Sequence, residues 1–309
     1  MNFQQLRFVR EAVRRSFNLT EVAAALYATQ PGVSRAIKEL EDELGVELFV
    51  RRGKRLVGLT EPGRALIDVV DRMLTDAQNL RRIADQFSGD DAGGLILATT
   101  HTQARYALPP VIKQFKSRYP RVHLGLHQGS PQQIAEMVSK GQADIGISTE
   151  ALDTFADLLT FPCYTWHHAV IVPTGHPLVD YGSLTLDAIA EYPIVTYDEA
   201  FTGRSQIDAA FLRAGLAPDV VLTAIDADVI KTYVEVGLGI GIVASMAFDA
   251  ARDQALELLD SRHLFEPNTT RLGVRRGSFL RGYMMEFIRL FAPGLSADDL
   301  ASLAEPRAA

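Results

Sequence analysis

The chain has 309 residues, 47% hydrophobic and 22% charged, with a formal net charge of −7. That length calls for two or three folding units, and the composition is ordinary for a globular protein with a large core. The first thirteen residues hold arginines, a carboxylate and no continuous apolar run, which argues against a signal peptide. No stretch approaches the roughly 18 consecutive apolar residues of a membrane helix, so no membrane partner is expected. The single cysteine, Cys163, can form neither an internal disulfide nor a metal cluster, and a cytoplasmic setting follows.

Charge is unevenly distributed. Residues 1–60 carry ten Lys and Arg against seven acidic residues, net +3, while residues 61–309 are net −10. A basic head on an acidic body suits a nucleic-acid reader whose body does not itself adhere to phosphate. In the head, Phe3, Leu6, Val9, Val13 and Phe17 recur at three- and four-residue steps, as the buried face of a first helix would. Asn18 and Thr20 offer N-cap oxygens to a short helix beginning at Glu21. Thr29 can cap a third helix with Pro31 in its first turn. Val33, Ile37, Leu40 and Leu44 share one face of it, and Gly45 stops it. Gln30, Pro31, Ser34, Arg35 and Lys38 then project from its N-terminal half, where a helix-turn-helix puts groove-reading side chains. With Thr29 they form the candidate reading set. A solvated polar face on an amphipathic helix is the competing explanation. Residues 49–59 read as two short strands around Gly53 carrying Arg51, Arg52, Lys54 and Arg55, a basic wing able to hold flanking phosphates.

The order Ala23-Ala24-Ala25-Leu26, Thr29-Gln30-Pro31-Gly32-Val33-Ser34, Leu40-Glu41-Asp42-Glu43-Leu44-Gly45, Leu48-Phe49-Val50-Arg51 and Leu59-Thr60-Glu61-Pro62-Gly63 closely resembles the winged helix-turn-helix of LysR-type regulators. The resemblance implies that Gln30, Pro31, Ser34 and Arg35 face double-stranded promoter DNA.

From about residue 61 to 88, Leu66, Val70, Met73, Ala77, Leu80, Ala84 and Phe87 alternate at four- and three-residue steps, the seam of a helix paired with a copy of itself. Ile67 and Leu74 widen this face, so packing on its own domain is also open. The resemblance implies a linker helix that sets the spacing of two heads, in a dimer or tetramer.

Residues 89–94 are a polar, glycine-rich hinge. Beyond it strands and helices alternate: strands at 95–99, 122–128, 143–148, 169–173, 193–197, 220–223, 240–244 and 270–275, helices at 109–119, 130–140, 203–214, 226–236 and 279–291. Such alternation predicts parallel strands with crossover helices. Two lobes crossed twice by the chain would leave a cleft at the strand ends. Ala98 to Gln103, Ser148-Thr149-Glu150 and Phe201 to Ser205 place hydroxyls, amides and helix starts there, suited to a small anion. Caps and turns are the commoner use of these residues.

The runs Ala98 to Pro109, His127 to Pro131, Phe201 to Ser205 and Asp226 to Tyr233 look like the CysB-type subgroup of LysR-type regulators, which controls sulfur assimilation and cysteine synthesis. The resemblance covers about residues 1–293. It implies a winged helix-turn-helix with linker helix, followed by a two-lobed α/β periplasmic-binding-protein-like effector domain. The boundaries are 1–60, 61–88, 89–94 and 95–309, with lobe I about 95–163 and 267–293 and lobe II about 164–266. It further implies an activator that works with RNA polymerase. N-acetylserine or O-acetylserine would be the effector, with sulfate or thiosulfate acting at the same region. Thr100, Thr102, Gln103, Thr149 and Thr202 match the anion-binding positions, with His101 and Ser130 as neighbours. One departure is Glu199, where the subgroup leads one to expect an aromatic or small residue. Turned inward, it would favour a ligand with an amino group; turned outward, it is a solvated loop carboxylate.

No catalytic constellation or metal spacing stands out, and Gly237-Leu238-Gly239-Ile240-Gly241 follows a helix, unlike a dinucleotide loop. Neither an enzyme nor a cofactor is therefore expected. A solute-binding transport protein shares the two-lobed plan but would not carry a winged head.

Overall fold

The computed structural model describes residues 1–87, 92–199, 201 and 203–304. It divides into two compact units, residues 1–88 with 277–279, and residues 89–276 with 280–309.

The first unit contains α1 (Phe3–Arg14), α2 (Leu19–Ala25), α3 (Gln30–Leu44), β1 (Phe49–Arg52), β2 (Arg55–Leu59) and α4 (Glu61–Phe87). Polar caps set the helix starts. Asn2 and Gln5 form a reciprocal capping box on α1, Asn18 accepts from Thr20 and Glu21 N–H, and Thr29 Oγ1 accepts from Gly32 N–H. Gly45, at φ +69°, ends α3 in the left-handed conformation. Val33, Ile37 and Leu40 are fully buried against Leu6, Phe8, Val9, Ala12 and Val22. Each large aliphatic side chain there contributes roughly 1.5–3 kcal/mol by leaving water.

The expected apolar faces shift at their ends. Phe3 and Leu44 are exposed, and Phe8 and Ala12 take the core side of α1 instead. Each exposed residue sits in a terminal turn, where nothing is left to cover it. The α4 seam divides as well. Val70 and Leu74 are buried in the head's own core, with Leu66, Ile67 and Met73 packed beside them. Leu80 is 69% exposed, Ala84 is exposed, and the side chain of Phe87 lies outside the description. The predicted hinge falls partly on residues 89–91, also outside it; Gly93 and Gly94 begin a strand.

The second unit runs β3 (Gly93–Thr99), a π-turn (Gln103–Ala107), α5 (Leu108–Arg118), β4 (Val122–Gln128), α6 (Pro131–Ser139), β5 (Ile145–Ser148), β6 (Leu158–Trp166), β7 (His168–Pro173), α7 (Leu186–Ala190), β8 (Ile194–Tyr197), α8 (Arg204–Arg213), β9 (Val220–Ala224), α9 (Ala227–Glu235), β10 (Ile240–Ala244), β11 (Leu256–Leu259), β12 (Asn268–Arg275), α10 (Gly282–Phe291) and α11 (Ala297–Ala304). Two five-stranded sheets result, ordered β4-β3-β5-β12-β6 and β11-β7-β10-β8-β9. The chain passes between them at residues 166–168 and returns between β11 and β12.

The sheets are mixed rather than wholly parallel. β3 pairs in parallel with β4 and β5, and β8 with β9 and β10, but β12 runs antiparallel to β5 and β6, and β7 to β10 and β11. The antiparallel strands are those joined directly from lobe to lobe, with no crossover helix to reverse direction. Within β3 the period of two is clean: Leu95 and Leu97 face the α5/α10 core, Ile96 and Ala98 the α6 core. Lobe II is layered alike, with Ile194 facing α7 and α8, and Val195 and Tyr197 facing α9.

Candidate functional site

In the head, capping and burial fix which face of α3 is left exposed. With Val33, Ile37 and Leu40 turned inward, Gln30, Pro31, Arg35 and Lys38 are exposed, and Ser34 is half-buried beside them. The Arg35 side chain is 82% exposed, and its Nε donates to Glu39 Oε1 at 2.8 Å. An exposed i,i+4 pair of this kind is worth only about 0.3–0.5 kcal/mol, so it restrains the guanidinium weakly. Thr29 works as the cap of α3. Tyr27, passed over in the sequence, stands fully exposed in the turn between α2 and α3 at φ +51°.

The wing is an antiparallel pair with Arg52 opposite Arg55, a bulge at Val50/Arg51 and Gly53 at φ +62° in its turn. Arg52, Lys54 and Arg55 are exposed. Arg51 is not equivalent to them: its guanidinium donates to Glu41 Oε2 at 2.6 Å. Glu41, only 6% exposed, accepts with Oε1 from Leu48 N–H at 2.8 Å and Phe49 N–H at 3.1 Å. One carboxylate of α3 thus fastens the start of the wing. Arg51 holds that joint, and sequence spacing had no means of separating it from its outward-facing neighbours.

In the second unit the predicted effector residues fall into layers. Thr100, Thr102 and Gln103 are buried at the end of β3. Thr102 hydrogen-bonds Tyr197 at the end of β8, in the other lobe, and the Tyr197 hydroxyl accepts from Ala244 N–H. The Gln103 amide is committed to the crossover strands, donating to Thr270 Oγ1 at 3.1 Å and accepting from Tyr164. Trp166 donates to the same threonine. His101 is half-buried, with Nδ1 out of solvent and unpartnered, and Thr149 is half-buried. Thr202 lies outside the described residues.

A cavity of about 280 Å³ between the lobes is lined by Ser130, Pro131, Gln132, Glu150, Ala151, Glu199 and Ser205. Ser130 caps α6 in a reciprocal box with Gln133 and brings the helix start to the cavity. Glu199 is exposed and is among the residues that line the cavity.

Glu150, absent from the predicted set, spans the lobes. Its Oε1 accepts from Gly203 N–H at 2.7 Å, while Oε2 is buried without a hydrogen-bond partner. Burial raises its pKa above the ordinary carboxylate value, and the Gly203 N–H partly opposes that rise. Gly203 cannot be another residue here. It sits at φ +67°, and a Cβ would lie 2.2 Å from Asn268 Oδ1. The local backbone is fixed from the other side too, since Ser148 Oγ and Leu152 N–H both donate to the Glu150 carbonyl and Ala151 takes φ +69°.

A second bridge between lobes lies at the π-turn. Asp228 of α9 accepts from Tyr106 at 2.7 Å and from Arg105 Nε at 3.0 Å, with Lys231 Nζ at 3.3 Å. Burial pushes the Asp228 pKa up, but the three donors together hold it below the ordinary value. Lys231 is itself buried against Asp253. Burial pushes the thiol of Cys163 up to about 12, leaving little reactive thiolate near neutrality.

Comparison with known proteins accounts for both units. Residues 3–64 match the model of the bacterial regulatory helix-turn-helix protein, lysR family, and residues 88–296 that of the LysR substrate binding domain. The chain is 65% identical to the HTH-type transcriptional regulator SsuR of Burkholderia cenocepacia, over 98% of each chain. It is 54% identical to the HTH-type transcriptional regulator CysB of the same organism, over 96% of this chain and 95% of that one. The crystal structure of the cofactor-binding domain of the Cbl transcriptional regulator, 50% identical, superimposes with a TM-score of 0.66, covering 69% of this chain and 93% of that one. A helix-turn-helix with a basic wing, a long connecting helix and a two-lobed body, matched by both family models, make this chain a member of the LysR family of transcription regulators.

Proposed function

We propose that this LysR-type regulator activates sulfur-assimilation and cysteine-biosynthesis genes in response to acetylated serine, with sulfate or thiosulfate acting at the same cleft. The reading is supported foremost by kinship, the chain being 65% identical to SsuR and 54% identical to CysB, together with the Thr102–Tyr197 hydrogen bond that joins the two lobes at the end of β3. N-acetylserine or O-acetylserine enters between the lobes. Its anionic end is met by Thr100, Thr102, Thr149, Thr202 and Ser130, with His101 and Gln103 shaping the floor. Hydroxyls and helix starts hold an anion without a full countercharge. Gln30, Ser34 and Arg35 read bases in the major groove, while Arg52, Lys54 and Arg55 hold phosphates. Arg51 orients the wing through Glu41. Residues 61–88 pair two copies through Leu80 and Ala84, so heads meet a two-fold DNA site as a dimer or tetramer in the cytoplasm and present it to RNA polymerase. Effector binding shifts a pre-existing equilibrium between lobe arrangements and so changes protomer spacing.

Footprinting of a sulfur-gene promoter with and without acetylated serine tests this directly. The expected result is a protected region whose length or phasing changes with the effector. A footprint indifferent to acetylated serine, sulfate and thiosulfate would overturn the effector assignment.

A further inference from the structure

Residues 277–279 form part of the first unit, although β12 before them and α10 after them belong to the second. The chain therefore crosses from unit to unit three times, after residues 88, 276 and 279. One covalent connection between two bodies leaves them free to turn about it. A second attachment removes much of that freedom.

α4 grips the segment by its main chain. Asn79 Nδ2 donates to the Gly277 carbonyl at 2.6 Å, and Asn79 Oδ1 accepts from Phe279 N–H at 2.8 Å. Arg82 donates from Nη1 to the Phe279 carbonyl at 3.3 Å. The two residues are three apart and so share a face of the helix. Asn79 is only 7% exposed, and a buried amide left without these partners would be costly. Its donor and acceptor match Gly277 and Phe279 as a neighbouring strand would, which neither a carboxylate nor an apolar side chain can do.

The same segment is rooted in lobe I. Leu280 is 6% exposed, in the core around α5 and α10. Tyr283 Oη donates to the Gly94 carbonyl at 2.8 Å, and the Arg281 guanidinium stands 4.9 Å from the Tyr283 ring centre. Gly93 permits this approach: a Cβ there would lie 2.6 Å from Arg281 Nη1 and 2.8 Å from Tyr283 Oη. Residues 277–283 thus make a strap with α4 at one end and the start of β3 at the other.

We infer that Asn79 is a positioning residue. It holds the strap to α4, so that a rearrangement of lobe I on effector binding reaches α4 and, through it, the spacing of the heads. This rests on the effector-responsive regulator proposed above and names the part of the chain that carries its response.

Footprinting and hydrogen exchange on the full chain test this together. In the wild type the Phe279 amide exchanges slowly; in Asn79→Ala it exchanges about tenfold faster, the factor that one lost hydrogen bond allows. Asn79→Ala keeps the wild-type affinity for a sulfur-gene promoter, and for N-acetylserine, O-acetylserine and sulfate by calorimetry. Its footprint no longer changes when these compounds are added. Arg81→Ala, altered at an exposed neighbouring position, keeps the change. A purely structural Asn79 would instead lower the affinities and leave the change in place. A response in Asn79→Ala as large as the wild type's, or fast exchange at Phe279 in the wild type, overturns the inference and leaves the regulator reading standing. If Asn79→Ala fails to fold, Asn79→Asp decides, since it keeps an acceptor for Phe279 and loses the donor to Gly277. An undiminished response there overturns the inference too. A wild-type footprint indifferent to all three compounds refutes both.

Discussion

Glu41 and Glu150 are both carboxylates withdrawn from solvent, yet they are in opposite states of satisfaction. Glu41 spends both oxygens on Arg51 and the Leu48 and Phe49 amides. Glu41→Ala strands those donors at the base of the wing. It should cost about 2–3 kcal/mol, read as a lowered urea midpoint with unchanged slope. Glu150 has one satisfied oxygen, and burial raises its pKa. A carboxyl with a raised folded-state pKa contributes stability below its unfolded pKa, and that contribution disappears as pH rises through the folded value. Glutamine undergoes no such loss. Without effector, Glu150→Gln should therefore gain stability relative to wild type as pH rises above the ordinary carboxylate range. Denaturant curves at a series of pH values check this, and a pH-independent difference contradicts it.

At the scale of elements, the proposed function divides the labour of contact between α3 and the wing. Arg35 is exposed on α3, and Arg52 on the wing. Arg35→Ala should relax base preference at one position, costing about 1–3 kcal/mol on the preferred site. Arg52→Ala should weaken all duplexes alike and reduce the salt slope by about 1. Gel shifts on matched and mismatched duplexes across a salt series decide between them, and parallel losses for both variants would refute the division. The π-turn and α9 form the other working pair. Asp228, with its pKa held down by Tyr106, Arg105 and Lys231 against the effect of burial, stabilises the joined lobes above the ordinary aspartate range. That contribution fades as pH falls through its depressed value. Because the side chain is 41% exposed, Asp228→Asn should cost about 1 kcal/mol or less. Its clearer sign is faster amide exchange at residues 103–107, where an unchanged exchange rate would deny the tie between lobes.

For the molecule as a whole, the chain order and helical periodicities were legible because they depend on local rules. Caps at Asn18 and Thr29, the stop at Gly45, and the core spacing of Val33, Ile37 and Leu40 each act within a few residues. What escaped was set by partners distant in sequence. β6 and β11 have no helix to announce them, and antiparallel β12 takes its direction from the lobe crossing. α4 reads as one continuous seam, yet its first half is consumed by the head's own core while Leu80 stays exposed. Thr100, Thr102 and Gln103 were legible as a cluster, but not as a buried layer tied to Tyr197, Thr270 and Tyr164.

The order of residues alone therefore determined a basic reading head, a connecting helix and an α/β body of regulator type, since patterning and capping are short-range. Tertiary structure alone decided which charges are spent and which remain available. Arg51 is taken by Glu41, and one oxygen of Glu150 is taken by Gly203 from across the cleft while the other is left without a donor. Whether a charged group is paired depends on desolvation and on a donor ten or more residues away, and neither is encoded in local spacing.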